Sequence, residues 1–92
     1  MELELKEGDI VVYETDDVKW FIIFKGWCID DHTHMYYYAV YVCGDDKLFI
    51  NDVCFLLEPE KLRRPSNEEH QLFIDELKKE GYEWDGLKLN KI

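Results

Sequence analysis

The sequence predicts an α+β fold: a bent antiparallel meander or small barrel, one helix packed on it, and a C-terminal β-hairpin. Three observations carry this. Short β-branched and aromatic runs recur at about 8–12-residue intervals through residues 10–57, separated by Gly and Asp turns. A single 3/4-spaced apolar stripe follows Pro65. An Asp-Gly pair, Asp85-Gly86, then sits between two short alternating segments, the strongest short-range hairpin signal in the chain. Ninety-two residues suit one domain, 1–92, with residues 1–60 forming the sheet and 61–92 the helix and hairpin.

In chain order, Lys6-Glu-Gly-Asp9 reads as a turn into the strand Ile10–Tyr13, and Glu14–Asp17 as a polar turn. Val18–Ile29 is a long strand in which Gly26 marks a bulge or sharp bend. Asp30–His34 is a polar loop, and Met35–Cys43 a second long strand. Gly44–Lys47 then turns into Leu48–Ile50, and Asn51-Asp52 breaks the chain before Val53–Leu57. Strict alternation along Met35–Cys43 places Tyr36, Tyr38, Val40 and Val42 on one face and Met35, Tyr37, Ala39, Tyr41 and Cys43 on the other. Both faces are apolar, so one fills the core while the helix, a partner or a second subunit covers the other.

The helix is expected over about Asn67–Glu80. Ser66 and Glu69 have the spacing of a capping box, in which the hydroxyl and the carboxylate each satisfy an orphan backbone N–H. His70, Phe73, Ile74 and Leu77 form the stripe, with Phe73, Ile74 and Leu77 buried on the sheet. Glu68 and Glu69 open the helix, Lys78 and Lys79 close it, and Gly81 is the expected C′ residue. Tyr82–Trp84 and Leu87–Leu89 are expected to pair around Asp85-Gly86.

Charge is the most informative compositional feature. The formal net charge is −10, and residues 1–60 hold all of it: fourteen acids against Lys6, Lys19, Lys25 and Lys47. Residues 61–92 carry seven charges of each sign. Direct binding to nucleic acid or to an anionic membrane is therefore disfavoured, because both need a positive footprint. A basic protein surface is the partner this charge admits. Met1–Lys6 has neither a basic nor an apolar segment of the kind that opens a signal peptide. The longest apolar run, Trp20–Phe24, is far short of the ~20 residues that span a bilayer. Cys28, Cys43 and Cys54 have no metal-binding spacing, so free thiols and a cytoplasmic location are expected.

Few residues point to chemistry. Asp30, Asp31, His32 and His34 could converge on a metal, but no distant ligand pair completes a shell, and a solvated loop is the simpler reading. The thiols lie in apolar strands, where burial makes them inert rather than nucleophilic. The glycines are isolated, so no phosphate loop is present. Lys61, Arg63 and Arg64 form the only basic cluster and are expected to pair with the sheet's acids. No cofactor, metal or catalytic residue is assigned. The sequence reading is a non-enzymatic interaction module, monomeric or weakly dimeric, with a small-ligand-binding barrel as the alternative. Alternate turns of a meander share an end, so Asp16 and Asp17 should lie near Asp45 and Asp46. Trp20 and Tyr41 are the expected neighbouring aromatics, and Asp30–Asp31 should stand at the far end.

The stretch from Arg63 to Asp85, with Arg64-Pro-Ser-Asn-Glu-Glu-His-Gln-Leu-Phe and Leu77-Lys-Lys-Glu-Gly-Tyr-Glu-Trp-Asp, resembles a C-terminal module of small proteins from phages and mobile elements of gut Bacteroidales. That module reads roughly RPxxEExQLFxxLKxxGYxWD. Ser66-Asn67 departs from its usual Ala-Thr, which moves the capping residue by one. The resemblance covers about a third of the chain and implies a mobile-element origin and a cytoplasmic address in a host cell. It implies no activity. The short Glu7-Gly-Asp-Ile-Val-Val12 resembles the opening of SH3-like barrels.

Overall fold

A computed structural model of the chain describes residues 5–28, 33–56, 58–86 and 88–92. Its strands are β1 (Ile10–Glu14), β2 (Lys19–Trp27), β3 (His34–Val42), β4 (Lys47–Phe55) and β5 (Leu62–Arg63). A 3₁₀ turn, Pro59–Lys61, precedes β5. The helix α1 (Asn67–Lys79) and a hairpin of β6 (Tyr82–Trp84) and β7 (Leu89–Lys91) follow. The fold is the α+β arrangement that the sequence predicts. β1 to β4 form an antiparallel meander, and β5 pairs with β1, giving the order β4-β3-β2-β1-β5. The radius of gyration, 12.2 Å, matches the roughly 12 Å of a compact body of this length.

The sheet is buried on both faces, and its central strands explain why. In β2, Ile22 and Phe24 point into a first core with Val11, Tyr13, Met35, Tyr37, Val40 and Leu56. Phe21 and Ile23 point into a second core with Val12, Ala39 and Tyr41. α1 and the hairpin cover this second face: Phe73 and Leu77 are fully buried there, and Ile74, Tyr82, Trp84 and Leu89 pack at its edge. The capping box forms as its spacing requires, with Ser66 Oγ accepting from the Glu69 N–H and Glu69 accepting from the Ser66 N–H. Gly81 takes φ +90°, the left-handed conformation that ends a helix.

Four expectations are corrected. Strict alternation along β3 fails, because β2 and β3 bulge against one another. Ile23 faces Ala39 but Phe24 faces Tyr37, leaving Tyr38 extra; then Gly26 faces Tyr36, leaving Lys25 extra. Met35 and Tyr37 therefore share the first core with Val40, while Tyr38, Ala39 and Tyr41 attend the second. β4 keeps one register with β3 through Asn51-Asp52, although Asn51 takes φ +49°, which asparagine tolerates better than most residues. Ile74 is only partly buried. The second hairpin strand starts later than the sequence pattern places it, with Leu89 paired to Trp84. The Asp85 carboxylate accepts from the Lys88 N–H at 2.8 Å, so the second strand begins at Leu89; Leu87 lies outside the described residues.

The hairpin also closes against the beginning of the chain. Gly8, at φ +94°, donates its N–H to the Phe24 carbonyl at 2.7 Å. A Cβ at Gly8 would stand 3.3 Å from the Gly86 carbonyl oxygen and 3.4 Å from the Trp84 ring. Beside this contact the Tyr38 and Trp84 rings lie 5.3 Å apart, and Tyr38 donates its O–H to Glu7 at 2.6 Å.

Candidate functional site: the acidic end of the sheet

Antiparallel register decides which acids meet. Glu14 faces Lys19 across the β1–β2 turn, Val42 faces Lys47 across the β3–β4 turn, and the Cys43 N–H donates to the Lys19 carbonyl at 3.0 Å. The two acidic turns thus share one end of the sheet. His34 opens β3 at the other end, and Asp30, Asp31 and His32 lie outside the described residues. Among the described residues no three His, Cys, Asp or Glu side chains converge to hold a metal.

Each turn is shaped locally. Thr15 Oγ1 accepts from the N–H groups of Asp17 and Val18, both at 3.2 Å, and the Thr15 N–H donates to the Val18 carbonyl at 2.9 Å. Asp16 and Asp17 are left pointing to solvent. In the β3–β4 turn Gly44 and Asp46 adopt φ +95° and +55°, and Asp45 is exposed between them.

The two aromatic residues expected beside these acids lie on opposite faces. Trp20 packs in the first core with its ring 5.2 Å from Tyr13. Tyr41, only 9% exposed, sits in the second core and donates its O–H to Asp46 at 2.6 Å. That hydrogen bond, with burial and the nearby Glu76 carboxylate, holds the Tyr41 phenol well above its usual range. Asp46, though exposed, is therefore a latch for the turn, and Asp16, Asp17 and Asp45 are the turn acids with no such role.

Trp20 opens onto a cleft that the sequence does not reveal. It holds about 200 Å³ and is lined by Tyr13, Thr15, Asp16, Asp17, Val18, Trp20 and Glu58. Glu58 arrives from the far end of the meander and is tied down there, its N–H donating to the Tyr13 hydroxyl oxygen at 2.8 Å. No local pattern signals a contact between residues 13 and 58.

Three bases on this side of the sheet are committed elsewhere. Arg63 holds Glu69 through both guanidinium nitrogens at 2.7 Å and Glu14 at 2.8 Å; Lys19 reaches Glu69 at 3.0 Å, and Arg64 reaches Asp9 at 3.1 Å. Burial pushes the Asp9 carboxyl up, but the Lys6 N–H and Arg64 outweigh it and lower its pKa. Asp16, Asp17, Asp45 and Glu58 make no ion pair among the described residues. Uncompensated negative charge thus gathers at this end, beside an aromatic-walled cleft.

The other aromatic surface is less open than the sequence suggests. Tyr36 is 44% exposed beside Val53, and a hydrogen bond with Cys28 raises its phenol pKa. Tyr38 is held by Glu7 and Trp84, with the Lys25 ammonium 5.3 Å from its ring centre. All three thiols are free. Burial, aided by Asp52, pushes Cys54 up to about 11, and burial also raises Cys43. Alkylation by iodoacetamide at neutral pH should therefore modify native Cys54 at least about tenfold more slowly than a model thiol. Peptide mapping of a time course checks this, and rapid Cys54 modification would contradict its burial.

No helix among the described residues is long and apolar enough to cross a membrane. Comparison of the chain with protein families, with characterised proteins and with solved structures finds no match.

Proposed function

We propose that this chain is a non-enzymatic protein-interaction module whose acidic end docks a basic protein surface. The observation that carries the reading is the convergence of Asp16, Asp17 and Asp45 at one end of the sheet. There Lys19, Arg63 and Arg64 are spent on Glu14, Glu69 and Asp9, and among the described residues only Lys47 at the β3–β4 turn is an unengaged base. Carboxylates steer encounter with a basic partner, and rigid aromatic surface gives the contact area that holds it. The small-ligand alternative is weaker, because about 200 Å³ falls below the roughly 300–1,000 Å³ of small-molecule sites.

Two finer readings belong with this one. A strand order of β4-β3-β2-β1-β5, with a 3₁₀ turn leading into β5, supports an SH3-like description of the sheet. The C-terminal module's resemblance to proteins of phages and mobile elements supports a cytoplasmic partner in a host cell. The basic groove of a nucleic-acid-binding protein has the complementary charge.

The test is capture from host lysate at low and high salt, with a variant in which Asp16, Asp17 and Asp45 are changed to Lys. Asp46 is left intact because its carboxylate holds Tyr41. The native chain should retain a partner at low salt and release it as salt rises, since exposed charges are screened within about 8–10 Å at physiological ionic strength. The variant should retain folded circular dichroism and lose the partner. Equal capture by both proteins would remove this end as the docking surface.

A further inference from the structure

We propose that the cleft between the β1–β2 turn and Glu58 is an anchoring pocket for one guanidinium group, an arginine side chain of the basic partner. This rests on the reading of the acidic end as a docking surface, and it gives that surface a specific occupant.

Size comes first. At about 30 Å³ per water, a cleft of about 200 Å³ has room for roughly six waters, the scale of one long side chain rather than a cofactor. Its walls are apolar: the partly exposed Trp20 ring and Val18, backed by the buried Tyr13 ring tilted 33° to Trp20. Its rim is anionic, with Asp16, Asp17 and Glu58 all exposed and none ion-paired among the described residues. A cation is the group that satisfies both. Lys19, Arg63 and Arg64 are engaged with Glu69, Glu14 and Asp9, and Lys61, whose N–H donates to the Glu58 carbonyl, makes no ion pair with the Glu58 carboxylate among the described residues.

The choice between cations follows from hydration and shape. An ammonium is compact and strongly hydrated, so stripping it against the Trp20 ring is costly. A guanidinium is planar and weakly hydrated, stacks on aromatic faces, and presents a fork of donors to carboxylates. The cleft is also built in advance. Thr15 Oγ1 fixes the turn through the Asp17 and Val18 N–H groups, and the Glu58 N–H fixes the opposite wall through Tyr13. An incoming arginine therefore orders little of the protein on arrival.

The experiment is an amide and indole NMR titration of the full chain with the peptide acetyl-Gly-Gly-Arg-Gly-Gly-amide. Parallel titrations replace the arginine with citrulline, its uncharged near-isostere, or with lysine. The arginine peptide should produce saturating shifts at the Trp20 indole N–H and at the amides of residues 15–18. Citrulline should bind about tenfold more weakly, and lysine about threefold. Glu58→Gln alters an exposed side chain and leaves the fold intact; it should weaken the arginine peptide about threefold and leave citrulline unchanged. Equal binding of arginine and citrulline, shifts that map to Asp45 or to the Tyr36 face, or no effect of Glu58→Gln would each overturn the pocket. If the peptide fails while the Lys variant still loses its partner, the pocket is refuted and the docking surface stands. If the peptide binds while the Lys variant captures normally, the pocket stands and the docking surface falls.

Discussion

Phe73→Ala should lower the stability of the chain by about 3–5 kcal/mol, through lost transfer free energy and the cavity left behind. Phe73 is fully buried, its ring 5.7 Å from Phe21, in the core it shares with Val12, Ile23, Ala39, Tyr41 and Leu77. That core is closed from above by α1, so little can move in to fill the space. A chain of 92 residues has a total stability of about 5–9 kcal/mol at 0.05–0.1 kcal/mol per residue, so the variant should be close to unfolded at 37 °C. Urea denaturation followed by circular dichroism measures the loss. Leu72→Ala is the control: its neighbour on the same helix is 47% exposed, and it should cost less than about 0.5 kcal/mol. A loss below about 1 kcal/mol at Phe73 would mean that α1 is not docked on the sheet.

Glu69→Gln should cost about 2 kcal/mol at neutral pH, and the cost should shrink in acid. The carboxylate closes the capping box at Ser66 and receives Arg63 and Lys19, so one side chain fastens α1 to both β5 and β2. Arg63 is 41% exposed, and solvent screening keeps the figure below that of a buried pair. Arg63 first, then the Ser66 N–H, holds the Glu69 carboxyl far below the ordinary carboxylate range. The folded pKa thus lies below the unfolded value of 4.5. In the interval between them the unfolded chain takes up the proton and the folded chain does not. The contribution is therefore complete above about pH 5 and is lost progressively as pH falls through that interval. Urea midpoints of the native chain and the variant should differ most near neutrality and draw progressively closer as pH falls below 4.5. A difference independent of pH would assign Glu69 a packing role only.

What the sequence revealed was mostly local. The helix ends follow from Ser66, Glu69 and Gly81, whose roles are set by neighbours three or four residues away. The sharing of an end by the two acidic turns follows from meander topology alone. Three features escaped because they depend on distant partners or on single backbone angles. β5 is two residues long, too short for any period to show, and exists because Val12 and Tyr13 offer it an edge. Asn51 and Asp52 carry the composition of a turn, yet pairing with β3 keeps β4 whole despite a left-handed φ at Asn51. The opposed bulges at Lys25 and Tyr38 invert the inward face of β3, which counting by twos cannot anticipate. The cleft escaped for the same reason: Tyr13 and Glu58 are joined by one hydrogen bond across 45 residues.

The closure of Gly8 against Gly86 and Trp84 has a consequence for how the protein is made. Synthesis proceeds from the amino end, so the strands of the sheet are made before the helix and hairpin that cover them. At about 5–20 residues per second, residues 67–91 take roughly 1–5 s to follow. Until α1 and the hairpin dock, Val12, Phe21, Ile23, Ala39 and Tyr41 form an open apolar stripe, and the turn at Gly8 has nothing to close upon. The chain is at its most vulnerable to holdase binding and misassociation then, before the final hairpin turns its first and last folded segments into neighbours.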